Sequence, residues 1–104
     1  MGYFDSSNRI LGGTSSVLVV GAGPVNLLNN VRAFAFTVRV TGTIIASINV
    51  QDEHGIIRPA GAITASFIGV ALNQGDYIVI GEPLEEITLT AATDSVILHC
   101  DKPY

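Results

Sequence analysis

Asp76-Tyr-Ile-Val-Ile80, Ile87-Thr-Leu-Thr90 and Val96-Ile-Leu-His-Cys100 decide the fold. Each run is short, apolar and β-branched, and Gly81-Glu-Pro83 and Thr93-Asp-Ser95 separate them. Runs of this length between turn residues are strands. At 85–92, Leu84, Ile87 and Ala91 sit at helical spacing, but Thr88, Thr90 and Thr93 tilt the reading toward strand.

Working back toward the N-terminus, the same signature recurs. From Arg32 to Val40 the residues alternate, with Phe34, Phe36, Val38 and Val40 expected on one face and Ala33, Ala35, Thr37 and Arg39 on the other. Over 43–50, Ile44, Ala46, Ile48 and Val50 are expected to face one way and Ile45, Ser47 and Asn49 the other. The polar turn Gln51-Asp-Glu-His-Gly55 then leads into Ile56-Ile-Arg58, which predicts a hairpin over 43–58. Ala62 to Leu72 reads as a further apolar strand stretch, and Asn29-Asn30 as a turn. Val17-Leu-Val-Val20 is a strand closed by Gly21-Ala-Gly-Pro24. No amphipathic helix of ordinary length is present. The expected fold is all-β, a single antiparallel β-sandwich or small barrel (jelly-roll-like) over 17–104, preceded by a flexible N-terminal arm over 1–16.

The 104 residues suffice for one domain. Of these, 48% are apolar and 13% charged, where about 25% charged is ordinary. Nine acidic and five basic side chains must keep the whole exterior wet. Part of the apolar surface is therefore expected to be covered by other subunits, because large exposed apolar patches are uncommon on monomers. In the arm, the islands Tyr3-Phe4 and Ile10-Leu11 are candidate protein-interaction residues that would order on a neighbour.

A net charge of −4 and five scattered basic residues argue against nucleic acid as a partner. No apolar run approaches the roughly 20 residues that cross a bilayer, and the N-terminus lacks a secretion-signal pattern. Synthesis in a cytoplasm and no membrane partner are expected.

The stretch Val17-Leu-Val-Val-Gly-Ala-Gly-Pro-Val-Asn26 resembles the glycine loop of dinucleotide-binding enzymes. However, Asn26 stands at the third glycine, Asn29-Asn30 stops any helix, and 41–50 holds no acid for a ribose. It reads as a strand ending in a Gly-Pro turn. Asp52, Glu53 and His54 are metal-ligand types, but neighbours in a turn diverge, and a solvated hairpin tip is the expectation. Glu82, Glu85 and Glu86 lack the apolar pocket that would make an acid–base pair. His99 and Cys100, adjacent in a strand, point to opposite faces, and Cys100 is expected as a buried small hydrophobe. No catalytic residue, metal ligand or cofactor is expected. Tyr3, Tyr77 and Tyr104 leave sugar stacking as an alternative.

The closing pattern Gly75-Asp-Tyr-Ile78, Ile87-Thr-Leu-Thr90 and Val96-Ile-Leu98 resembles small virion structural proteins of tailed bacteriophages, particularly capsid decoration or cement proteins. The resemblance covers about the last 30 residues. It implies a β-sandwich without catalytic residues, a homotrimer first and a dimer second, the major capsid protein as partner, and a place on the capsid surface of the virion. A tail, neck or head-fibre component, or a carbohydrate-binding module, is the alternative.

Overall fold

The computed structural model describes residues 15–28, 30–52 and 54–102. Seven strands form one antiparallel sheet: β1 (Ser15–Val20), β2 (Gly23–Asn26), β3 (Ala33–Val38), β4 (Ile45–Gln51), β5 (Ile57–Pro59), β6 (Tyr77–Leu89) and β7 (Ser95–Cys100). One short helix, α1 (Ala62–Ala65), lies between β5 and β6. The strand order is β1-β7-β3-β6-β4-β5, with β2 also pairing to β6. β1 and β5 do not pair with each other, so the sheet stays open.

β6 is the spine. Its first part pairs with β3 through Tyr77, Ile78 and Val79, and its last part lies between β2 and β4. Gly81-Glu-Pro83 therefore does not separate two strands, as its composition predicts; one thirteen-residue strand runs through it. Ala33 pairs with Leu84 but Ala35 with Val79, so the stretch Ile80 to Pro83 of β6 spans the single residue Phe34 of β3 and carries the excess length. Pro83 falls in that unpaired excess, where its missing N–H costs no ladder bond.

The inward side chains form one cluster that includes Val19, Phe36, Val38, Ile45, Ile48, Leu84, Ile87, Leu89 and Leu98. Burying a side chain of this size contributes about 2–3 kcal/mol. Two bulges change which residues enter it. Ala33 and Ala35 of β3 sit opposite the consecutive Cys100 and His99 of β7, which leaves Phe34 as the extra residue. Phe34 is consequently 41% exposed, whereas Phe36 is fully buried. Val40 lies beyond the strand end and is also exposed. In β4, Ile45 and Ser47 sit opposite consecutive residues Leu89 and Thr88, so Ala46 is extra. Ile45 turns inward with Ile48 and Val50, in place of Ile44 and Ala46. A bulge shifts the pleat by one residue, and the expected faces shift with it.

The 43–58 hairpin forms as its sequence predicts, with Gln51 opposite Ile57 and Asn49 opposite Pro59. The expected strand over 62–72 does not form. Instead α1 and a following turn lie along β4, where Gly69 N–H donates to the Ile45 carbonyl. Asn30 has φ +63°, in keeping with the turn expected there.

Near the β7 entry, the buried Asp94 carboxylate accepts from Ile44 N–H, Ala91 N–H and Thr90 Oγ1 at 3.0–3.2 Å. Ser95 Oγ donates to the Val19 carbonyl and accepts from the Arg39 guanidinium. These bonds satisfy polar groups that burial would otherwise leave unpaired.

Candidate interaction surface

The strand registers place a continuous row of side chains on the outer face of β1, β7, β3 and the start of β6. Leu18 lies opposite Ile97, Ile97 opposite Thr37, and Thr37 opposite Tyr77. The adjoining row is Ser16, His99 and Val79, with Ala35 between the last two fully covered by its neighbours. Val20 extends the face beside Leu18. Directly opposed residues of antiparallel strands share a face, so these side chains form one surface.

That surface is apolar and open. Leu18 is 56% exposed, Val20 60%, Tyr77 56% and Val79 65%. His99 is set toward the middle of the face, and Arg39 stands at the Val20 end, where its guanidinium donates to Ser95 Oγ at 3.0 Å. Thr37 Oγ1 and His99 Nε2 are 2.8 Å apart, and the Tyr77 and His99 rings lie 5.5 Å between centroids. These contacts link Thr37, His99 and Tyr77 to one another across β3, β7 and β6. A largely apolar face of this breadth, with Arg39 at the Val20 end as its one charged member among the described residues, suits a protein partner.

The residues weighed for chemistry take structural positions. Asp52 Oδ1 accepts from His54 N–H and Ile56 N–H, both at 2.9 Å, which ties the hairpin tip as an Asx turn. Glu53 lies outside the described residues. Glu82 pairs with Arg58 at 3.0 Å and accepts from Gly61 N–H at 2.7 Å, while Glu86 accepts from the Asn49 amide. Among the described residues no three His, Cys, Asp or Glu side chains are grouped as metal ligands. Gly21 and Gly23 carry φ of +88° and +110° and turn the chain from β1 into β2, so a strand follows the glycines where a nucleotide loop would place a helix. His99 and Cys100 take opposite faces, as their adjacency in a strand requires. Cys100 is fully buried, and that burial pushes its thiol pKa up. An open hollow of about 520 Å³ lies between Asn30, Arg32, Gln51, Asp52, Arg58 and Pro83. Its two guanidiniums are engaged by the Val31 carbonyl and by Glu82.

The candidate interaction residues Tyr3, Phe4, Ile10 and Leu11 fall outside the described residues. Of the 1–16 arm, Ser15 and Ser16 are described and belong to β1, paired with Cys100 and His99. The outer-face residues escape a reading based on alternation, yet one signal marks them. Val17-Leu-Val-Val20 is apolar at every position, and a strand with one face in water should alternate.

No family model matches the chain, and neither a curated protein nor a solved structure is significantly similar to it.

Proposed function

We propose that this protein is a non-enzymatic structural component of a tailed-phage particle, a decoration or cement protein that self-associates and binds the assembled shell. The largely apolar outer face carrying Leu18, Val20, Tyr77 and Val79 is the observation that supports this reading most. A face of that kind loses free energy in water and recovers it against another subunit, at about 25 cal/mol per Å² of apolar area covered. The resemblance of the closing strands to cement proteins points to the same role. In the full proposal the sheet doubles over at β6 as a sandwich. β1, β7, β3 and the start of β6 form one layer, and β2, the end of β6, β4 and β5 form the other.

The mechanism is mass action. A protein that binds only the assembled shell stabilises it in proportion to occupancy, and several symmetric contacts add avidity without any one being strong. Co-sedimentation with assembled shells tests the reading. The expected result is stoichiometric binding that Val79→Lys weakens at least tenfold. A chain that stays in the supernatant at every concentration sinks the proposal. The exposed Tyr77 ring supports a second reading, a carbohydrate-binding module, which requires glycan-array binding that Tyr77→Ala removes.

A further inference from the structure

Four stretches of strand edge lack a paired neighbour among the described residues: the outer edges of β1, β2 and β5, and the edge of β6 opposite β3 over 77–80. Backbone groups alternate in direction along a strand, so a bond at each strand's end tells which amides face outward. Leu27 N–H donates to the Glu85 carbonyl, which turns Val25 and Gly23 toward β6 and leaves position 24 facing out; that residue is Pro24. Ala60 N–H donates to the Ile48 carbonyl, which turns Arg58 toward β4 and leaves 57 and 59 facing out; position 59 is Pro59. Each of these edges thus carries a proline at an outward position, where it removes a donor that another strand would use. The free stretch of β6 is short and ends in the irregular Gly81-Glu-Pro83 segment. All three are ordinary protections against edge pairing.

β1 has none of them. Gly21 N–H donates to the Asp94 carbonyl at 2.9 Å, continuing the β1–β7 ladder. The amides of Ser15, Val17 and Val19 therefore face β7, and those of Ser16, Leu18 and Val20 face outward. The strand is regular over all six residues, with no charge, proline or bulge.

We propose that a second copy of this chain pairs with β1 through β1, antiparallel and about a two-fold axis at Leu18. The inference rests on the assembly reading above and names its self-partner. One register satisfies both constraints of the strand. Leu18 opposes Leu18 of the second copy and Ser16 opposes Val20, so every outward amide meets an outward carbonyl. Side chains of the outer face also meet side chains of the outer face. No like charges meet across the axis. The exposed faces of two copies become one face of double width, with Leu18 and Val20 at its centre, so shell binding acquires two linked contacts. A two-fold edge contact is self-complementary and closes at a dimer; a trimer requires two different edges in contact.

Light scattering on the full chain tests this. The expected mass is near twice the 10.9 kDa of one chain. Ser16→Pro and Leu18→Lys each give a monomer with the far-UV spectrum and melting temperature of the separated subunit unchanged. Under mild oxidation Leu18→Cys forms a disulfide-linked dimer, because narrow antiparallel pairs bring Cα atoms to about 5.5 Å, within disulfide reach. Val79→Cys does not. A monomeric or trimeric parent chain, or a dimer that survives both edge substitutions, overturns the proposal. Shell binding scored on the same variants separates the two claims. A monomer that still binds shells overturns the β1 pairing alone, and a Leu18-linked dimer that ignores shells supports the pairing while removing the shell role.

Discussion

At one margin of the sheet β1 turns the amides of Ser16, Leu18 and Val20 outward, with Leu18 and Val20 more than half exposed. At the other margin β5 turns Ile57 and Pro59 outward, and Pro59 has no amide to offer. β5 is three residues long and carries Arg58, held by Glu82 at 3.0 Å. β1 is twice that length and carries no charge. Both strands are edges of one sheet in one charge-poor, apolar chain, so the difference does not come from composition. Protection of an edge is local, placed residue by residue, and its omission at β1 is what singles out that edge for the proposed pairing.

The comparison is broken most severely by moving a proline one position along β1. Val17→Pro removes an amide that faces β7 and is expected to cost about 3 kcal/mol or more. Ser16→Pro removes an outward amide and should leave the stability of the monomer within about 1 kcal/mol. Urea unfolding of both variants below the dimer dissociation concentration measures the difference. Equal losses would mean the ladder phase is wrong.

Removing the fastening of the β5 side has a smaller effect. Glu82→Ala deletes the Arg58 pair and leaves Gly61 N–H without its acceptor, for an expected loss of about 1–2 kcal/mol. The ion pair itself accounts for the lesser part, since Arg58 is half exposed and such pairs are worth under about 1 kcal/mol. Added salt should therefore change the parent's midpoint by less than the substitution does.

Pro59→Thr sharpens the contrast in the opposite direction. It returns an outward donor to β5, changes monomer stability by less than about 1 kcal/mol, and should produce association beyond the dimer in concentration-dependent sedimentation. Unchanged sedimentation would show that proline is not what protects β5.

The smallest effect lies beneath β1, where Ser15 pairs with Cys100. Burial raises the Cys100 pKa most, Asp101 adds to the rise, and a hydrogen bond from Ser15 opposes it. The folded chain therefore holds the thiol proton more tightly than the unfolded chain. That contribution to stability is present below the ordinary thiol pKa and is lost as pH rises through the raised one. Unfolding midpoints should fall above about pH 9 in the parent and stay flatter in Cys100→Ala. Thiol reagents should react with Cys100 only on unfolding.

Much of this fold is legible in the residues. The β-branched runs at 76–80, 87–90 and 96–100, the 43–58 hairpin and the turn at Asn30 all form where local chemistry places them. What was hidden has a common cause. Alternation locates a strand but cannot reveal an extra residue within it, so the bulges that expel Phe34 and admit Ile45 were not readable. Pro83 looks like a strand end because proline lacks a donor, and only the uneven pairing of β3 with β6 shows that no donor was needed there. Ala62-Ile-Thr-Ala65 is too short for a helical period to stand out from an apolar strand. The interaction face was half legible: Val17 to Val20 are apolar without alternation, whereas Tyr77 and Val79 join them only through the pairing of β7 and β3 between.

By itself the sequence determined that this chain forms short antiparallel strands and carries few charges for its size, because both follow from side-chain type and local spacing. The tertiary structure alone decided which residues face out and which edge stays open. Strand register and bulges set the direction of every amide and side chain. Pro24, Pro59 and Leu18 take on their meaning only once that direction is known.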